Sequence, residues 1–268
     1  MHLPGTVLNA IKAVYPRFGL RDSDVLLASY PKSGNTWMRF IWANIVSLME
    51  LGGREIDFEY LNTRLVAEYD SHSYGDVEFD CLPRAVKTHR PYDVRAFGKN
   101  RSIYVVRHPG DVAVSYFEYR GAQGEHDTKK SALKTFVRDP KYGVPAWCEH
   151  VRSWRSQAGV VIQYEELKTD AVAAVQRALD RLGISHIRGD VVERAVERSS
   201  FDELRSIEEE KGHPLPGFDS DYRFMRKGAT GEWRERFDRE DVRYLRSQLR
   251  QHGLDTSYSI DLTEGDEG

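Results

Sequence analysis

The chain has 268 residues, of which 40% are hydrophobic and 30% charged, so it can bury a full core as one large domain. Its formal net charge of −3 excludes a nucleic-acid binder that relies on bulk positive charge, and no apolar run approaches the roughly 20 residues that a membrane span needs. There are only two cysteines, Cys81 and Cys148, in unrelated contexts and without metal-ligand spacing, which argues against a disulfide framework and favours the reducing cytoplasm.

Short β-branched runs alternate with longer helical patterns along the chain, after an N-terminal segment at 1–23. Strands are predicted at 24–30, 85–89, 102–107 and 160–167, and helices at 35–51, 109–120, 169–183, 189–198 and 238–252. This alternation predicts an α/β fold, with a central parallel sheet and helices on both faces, in a single domain over 1–268. Ligands of such sheets bind beyond the carboxyl ends of the strands.

Two long segments, 121–146 and 206–231, show neither a helical nor a strand period. The second is rich in glycine, proline and charge, and we predict either a lid over the site or a segment that is disordered without ligand. The acidic tail at 258–268 is predicted to fray.

The sequence Y-P-K-S-G-N-T-W at 30–37 lies between the first predicted strand and its helix. Gly34 permits a close backbone approach at the helix N-terminus, and Lys32 adds a positive charge. Side-chain donors complete a cradle for an anion: Ser33, Asn35 and Thr36. The nucleotide-triphosphate P-loop needs its lysine after the last glycine, which disfavours magnesium and ATP here. An ordinary capped turn fits this motif equally well when it is taken alone.

Polar residues also follow the next two predicted strands. His89, in K-T-H-R-P, precedes a proline that turns the chain towards a cleft. An imidazole pKa of about 6.5 suits a general base, although a histidine that merely caps a strand end gives the same pattern. Arg107 ends the next strand in R-H-P-G-D-V-A-V-S, and Ser115 follows about two helical turns later, so both could hold a phosphate. Asp111 is predicted to cap the helix start.

The motif R-K-G-A-T-G-E-W at 226–233 places two cations, Arg226 and Lys227, before Gly228. It is typical of a flexible strip that binds an anion, and also of a solvated basic turn.

Taken in order, these motifs resemble the signatures of the cytosolic-type sulfotransferases, from about residue 24 to residue 237. The family patterns are P-K-S-G-T-T-W, K-T-H-L-P, R-D-P-x-D-x-x-x-S and R-K-G-x-x-G-D-W. The resemblance implies a P-loop-like strand–loop–helix that binds 3′-phosphoadenosine 5′-phosphosulfate as co-substrate, releases adenosine 3′,5′-bisphosphate and needs no metal. The family's C-terminal dimerisation signature is not evident after Trp233, so the oligomeric state stays open.

The resemblance also implies a role for each matching residue. His89 would be the general base, while Lys32 and Lys87 would stabilise charge on the bridging and sulfuryl oxygens. The 5′-phosphosulfate loop would comprise Lys32, Ser33, Gly34, Asn35, Thr36 and Trp37, the last stacking on adenine. The 3′-phosphate would contact Arg107, Ser115, Arg226, Lys227 and Gly228. The adenine region would contact Tyr164, Ser199 and Phe201.

We therefore expect a sulfotransferase that acts on a small molecule with a hydroxyl group. A metal-dependent small-molecule kinase and a catalytically silent nucleotide-binding module remain alternatives. The acceptor pocket would come from 52–84, 121–147 and 206–225, whose aromatic residues suggest a phenol, a lipid alcohol or a natural-product scaffold. These residues are Tyr60, Tyr69, Tyr74, Phe79, Tyr142, Trp147, Phe218 and Tyr222.

Overall fold

The computed structural model describes residues 14–70, 78–126, 129–212 and 222–254, together with Val7, Ile11 and Lys12. Across these residues one sheet is formed by β1 (Val25–Ser29), β2 (Val66–Glu68), β3 (Ala85–Thr88), β4 (Arg101–Val106) and β5 (Val160–Gln163). The strand order is β2-β3-β1-β4-β5, and every neighbouring pair is parallel. The predicted central parallel sheet is confirmed, with the short edge strand β2 as an addition.

The helices lie between the strands and after the last of them. They are α1 (Asn35–Glu50), α2 (Phe58–Tyr60), α3 (Val94–Phe97), α4 (Pro109–Ala122), α5 (Lys130–Val137), α6 (Val144–Trp154), α7 (Tyr164–Arg181), α8 (Gly189–Glu197), α9 (Phe201–Lys211), α10 (Trp233–Arg236) and α11 (Arg239–Gln251). A π-helical turn, Leu61–Leu65, connects α2 to β2.

Successive side chains of a strand point to opposite faces of the sheet. In this protein both faces are buried. In β1, Val25 and Leu27 pack into a core with α1, α7 and α8, while Leu26 and Ala28 pack into a second core with α4, α6 and α11. The predicted helices on both faces of the sheet are confirmed.

One predicted strand is too long. The run at 160–167 leaves the sheet after Gln163, and Tyr164 begins α7, because acidic residues in the first turn favour a helix N-terminus. The helix predicted at 169–183 therefore starts earlier and includes a kink at Asp170 (φ −152°, ψ 82°). The other predicted elements end within two residues of the observed bounds.

The two segments predicted to be irregular contain helices, so that prediction is wrong in part. Helix α5 and the start of α6 lie within 121–146, and α9 runs into 206–231. Only Leu204 and Glu208 of α9 are buried, so its charged surface gives little apolar period in the sequence.

The middle of the predicted lid, 213–221, and the predicted frayed tail, 258–268, lie outside the described residues. Part of the N-terminal segment 1–23 packs on the domain, since the hydroxyl of Tyr69 donates a 2.6 Å hydrogen bond to the carbonyl of Pro16. No helix within the described ranges combines the length and apolarity required to cross a membrane.

Candidate active site

A cavity of about 1220 Å³ opens beyond the carboxyl ends of the central strands. Its wall contains all but one of the residues that the sequence predicts for the site: Lys32, Gly34, Asn35, Thr36, Trp37, Lys87, His89, Arg107, Ser115, Tyr164, Ser199, Phe201, Arg226, Lys227 and Gly228. The exception is Ser33, which is fully buried and whose Oγ has no hydrogen-bond partner among the described residues.

The loop between β1 and α1 is a tight left-handed turn. Lys32 (φ 65°) and Gly34 (φ 105°) both adopt positive φ, and a Cβ atom on Gly34 would lie 2.7 Å from the ring of Tyr164. Glycine is therefore required at this position. The Asn35 side chain donates through Nδ2 to the carbonyl of Leu27 at 2.8 Å, so this amide ties α1 to β1.

The ammonium group of Lys32 has aromatic and cationic neighbours. Its Nζ lies 4.6 Å from the ring centroid of Tyr119 and 4.5 Å from that of Phe224. Burial, followed by the positive charges of Arg107 and Arg226, lowers the pKa of Lys32 to about 7. An anion bound here would stabilise the charged form.

The imidazole of His89 is held in one tautomer by the end of β1. Its Nδ1 donates a 2.8 Å hydrogen bond to the carbonyl of Ser29, so Nε2 carries the lone pair. The backbone is also fixed, because His150 Nε2 donates to the His89 carbonyl at 3.2 Å. Burial, and then the charge of Lys87, lower the pKa of His89 well below its usual value, which keeps the ring neutral.

The Nζ of Lys87 forms a 2.8 Å ion pair with Glu68, which ends β2. Burial lowers the pKa of Lys87, and the charge of Arg39 adds to this effect. Lys87 could therefore contact a transferred group only by sharing its carboxylate partner. Glu68 was not predicted, since the short strand that carries it shows no clear pattern.

The basic strip 226–231 crosses the cavity with its two cations paired to one carboxylate. Arg226 forms two hydrogen bonds with Glu232, and Lys227 Nζ donates to the same carboxylate at 2.9 Å. Burial alone would raise the pKa of Glu232, but these hydrogen bonds lower it to about 2. Arg107 reaches the strip as well, through a 2.7 Å hydrogen bond to the carbonyl of Ala229.

Two buried carboxylates anchor the strip at its ends. Glu208 on α9 accepts hydrogen bonds from the backbone N–H groups of Phe224 (2.6 Å) and Met225 (2.8 Å). Asp111 on α4 accepts from the N–H groups of Gly231 (2.8 Å) and Trp233 (3.3 Å). These hydrogen bonds connect the strip to α9 at one end and to α4 at the other.

The predicted helix cap at Asp111 is wrong. The cap of α4 is His108, whose Nδ1 accepts a 3.0 Å hydrogen bond from the N–H of Gly110 and whose ring stacks on Trp233 at 4.7 Å. Asp111 is free to bind the strip because the histidine performs the capping.

Aromatic rings line the side of the cavity predicted for adenine. Trp37 and Tyr164 meet edge to face, with ring centroids 5.8 Å apart, and the Tyr164 hydroxyl donates to the carbonyl of Gly228 at 3.2 Å. Ser199 is fully buried, and its hydroxyl already donates to the carbonyl of Ala195 at 2.7 Å. We therefore expect packing from Ser199 more than a new hydrogen bond.

Replacing Gly228 with alanine should weaken nucleotide binding by tenfold or more. This loss corresponds to at least about 1.4 kcal/mol of binding free energy. Gly228 has φ 59°, and a Cβ atom there would lie 2.4 Å from the Phe201 ring, so the ring or the strip must move. Gly231→Ala is the matched control, because it has a similar φ of 86° but meets only the flexible end of Arg234. Calorimetry with adenosine 3′,5′-bisphosphate measures both; equal losses would contradict the steric argument.

The aromatic residues that the sequence offers for an acceptor pocket do not line this cavity where the structure describes them. Of the eight, Tyr74 and Phe218 lie outside the described residues, and the remaining six are absent from the wall. Its aromatic residues on this side are instead Phe58, Tyr116, Tyr119 and Phe224. Two of these could have been found, because Tyr116 and Tyr119 follow Ser115 within about one helical turn.

A family model described as sulfotransferase domain matches residues 22–256. Sulfotransferase 2A6 of Rattus norvegicus is 28% identical over 255 residues, which cover 87% of this chain and 85% of that protein. Sulfotransferase 1A1 of Bos taurus is 29% identical over 239 residues, covering 80% and 78%.

Solved structures share the fold. Mouse sulfotransferase SULT7A1 complexed with PAP matches with a TM-score of 0.68 at 24% identity, covering 94% of this chain and 90% of that one. Retinol dehydratase in complex with androsterone and the inactive cofactor PAP matches with a TM-score of 0.71 at 20% identity, covering 94% and 86%.

Proposed function

This chain belongs to the sulfotransferase domain family, whose model covers residues 22–256, and we propose that it moves a sulfuryl group from 3′-phosphoadenosine 5′-phosphosulfate to an acceptor hydroxyl. One observation carries the proposal: His89 lines the same cavity as the anion loop and the arginines predicted for the 3′-phosphate. The presence of PAP in both structural neighbours supports this choice of donor.

The polar groups of the cavity suit a nucleotide with several negative charges. Arg107 Nε and Trp37 Nε1 lie on wall residues, are buried and have no hydrogen-bond partner among the described residues. Buried donors normally have a partner, so an incoming ligand would complete their hydrogen bonding. The neighbouring cations that lower the pKa of Lys32 would be neutralised by the same ligand.

When bound, the donor supplies the sulfuryl group and departs as adenosine 3′,5′-bisphosphate. His89 Nε2 accepts the acceptor's hydroxyl proton while the oxygen–sulfur bond forms and the bond from sulfur to the bridging oxygen breaks in line with it. Lys32 stabilises the negative charge that develops on the bridging oxygen, and Lys87 faces the sulfuryl oxygens. Catalysis of this kind depends on positioning and fixed positive charge.

Two measurements test the proposal. We expect adenosine 3′,5′-bisphosphate to bind more tightly than magnesium-ATP in a calorimetric titration, because the loop lacks the lysine position of a triphosphate P-loop. We also expect labelled sulfate to reach a hydroxyl acceptor in the presence of a metal chelator. Tighter binding of magnesium-ATP would favour a kinase, and bisphosphate binding without any transfer would favour a silent nucleotide-binding module.

A further inference from the structure

Beside His89, the cavity wall carries polar side chains to which no motif assigns a role. Arg39 lies on α1, Asn62 in the π-helical turn and Glu68 at the end of β2, and all three line the cavity with Lys87. Arg39 is near the predicted reaction centre, because its positive charge contributes to lowering the pKa of both Lys87 and His89.

Arg39 is a buried cation with incomplete hydrogen bonding. The residue is only 6% exposed, and its guanidinium donates to the neutral side-chain oxygen of Asn62. The Nε atom is buried and has no partner within the described part of the chain. Burial lowers the pKa of Arg39 to about 10, despite the opposing effect of Glu68. A buried guanidinium is normally paired with an anion.

The nearby carboxylate does not supply that anion. Glu68 forms its 2.8 Å ion pair with Lys87, and no ion pair joins it to Arg39 among the described residues. Among the described wall residues at this point, Arg39 and Lys87 share one carboxylate, that of Glu68, which leaves an excess positive charge. A neutral acceptor can satisfy Arg39 Nε with an oxygen but leaves the buried charge unpaired, whereas a carboxylate supplies a counter-charge and also fits the planar donors of a guanidinium.

We propose that Arg39 binds an anionic group of the acceptor, so that the preferred substrates are hydroxylated carboxylic acids whose hydroxyl is presented to His89. The inference rests on the proposed function and adds to it the chemical class of the acceptor. The aromatic wall, including Phe58 and Phe224, would hold the scaffold between the two polar ends.

The test uses matched pairs, each a hydroxylated carboxylic acid and its primary amide, on phenolic, sterol and aliphatic scaffolds. Each compound is titrated into the full chain saturated with adenosine 3′,5′-bisphosphate. In at least one pair the acid should bind about tenfold to a hundredfold more tightly than the amide, as expected for hydrogen bonds to a charged group. Arg39→Met should abolish this ratio, and Arg39→Lys should restore part of it.

Arg188→Met is the matched control, since Arg188 is exposed and pairs with Asp190 away from the cavity wall. This variant should keep the wild-type ratio of acid to amide affinity. A purely structural role of Arg39, as a link from α1 to Asn62, predicts that Arg39→Met weakens acids and amides alike, and that result would overturn the inference. The inference would also be overturned if no acid bound the wild type more tightly than its amide, or if no acid bound at all.

The failure of this inference can be told apart from that of the proposed function. Bisphosphate binding and sulfate transfer without a preference for acids would refute the acceptor class alone. If the wild-type chain does not bind adenosine 3′,5′-bisphosphate, the proposed function and the acceptor class are refuted together.

Discussion

Replacing His89 with glutamine should lower kcat by roughly 10²–10⁴-fold, the usual contribution of a general base, while the affinity for adenosine 3′,5′-bisphosphate stays unchanged. The Nδ1–H of His89 is committed to the carbonyl of Ser29, so Nε2 is the atom available to accept a proton. Glutamine can keep the contact with Ser29 but cannot act as a base at neutral pH. Steady-state sulfate transfer, together with calorimetry, separates loss of chemistry from loss of binding.

The pH profile gives a second check on the same residue. Because burial and then the charge of Lys87 lower the pKa of His89, the base becomes protonated, and activity falls, only well below pH 6.5. We expect wild-type activity to persist in mildly acidic solution. His252→Gln is the control, since that imidazole donates to the carbonyl of Gln248 and does not belong to the described cavity wall. An activity loss centred at or above pH 6.5, or a His89→Gln variant within tenfold of the wild type, would contradict the assignment.

The parts of the fold that could be predicted depend on local signals. Three such features are determined by residues that are neighbours in the sequence. They are the buried run of β1, the glycine at position 34 and the polar residues after β3 and β4. Parallel strands bring their carboxyl ends to one edge, so the gathering of these motifs around a cavity follows from the sheet type alone.

What could not be predicted depends on residues that are distant in the sequence. Glu208 belongs to no recognisable motif, yet its carboxylate accepts hydrogen bonds from the backbone N–H groups of Phe224 and Met225. Asp111 looks like a helix cap, and only the tertiary structure brings Gly231 within reach of its carboxylate. Arg39 looks like an ordinary polar position of α1, because its burial arises from the π-helical turn packed beside it.

Replacing Lys32 with methionine should lower kcat by about 10²–10³-fold, the typical effect of removing one group that stabilises charge in the transition state. It should also abolish a proton uptake that accompanies nucleotide binding. Burial and the charges of Arg107 and Arg226 lower the pKa of Lys32 to about 7, so most of this side chain is neutral at about pH 8. A bound bisphosphate would raise that pKa again, and close to one proton would be taken up.

The uptake has a defined direction with pH. Below the pKa of about 7, Lys32 is already protonated in the free protein, so the uptake should vanish, and affinity should decline as the pH rises above that value. Calorimetric enthalpies measured in buffers with different ionisation enthalpies give the number of protons directly. Lys227→Met is the matched control, because it removes a cation from the same wall and leaves Lys32 in place. If the uptake survives in Lys32→Met, or is lost in Lys227→Met, the proton belongs to another group, and the anion loop is not the site where the nucleotide's charge is neutralised.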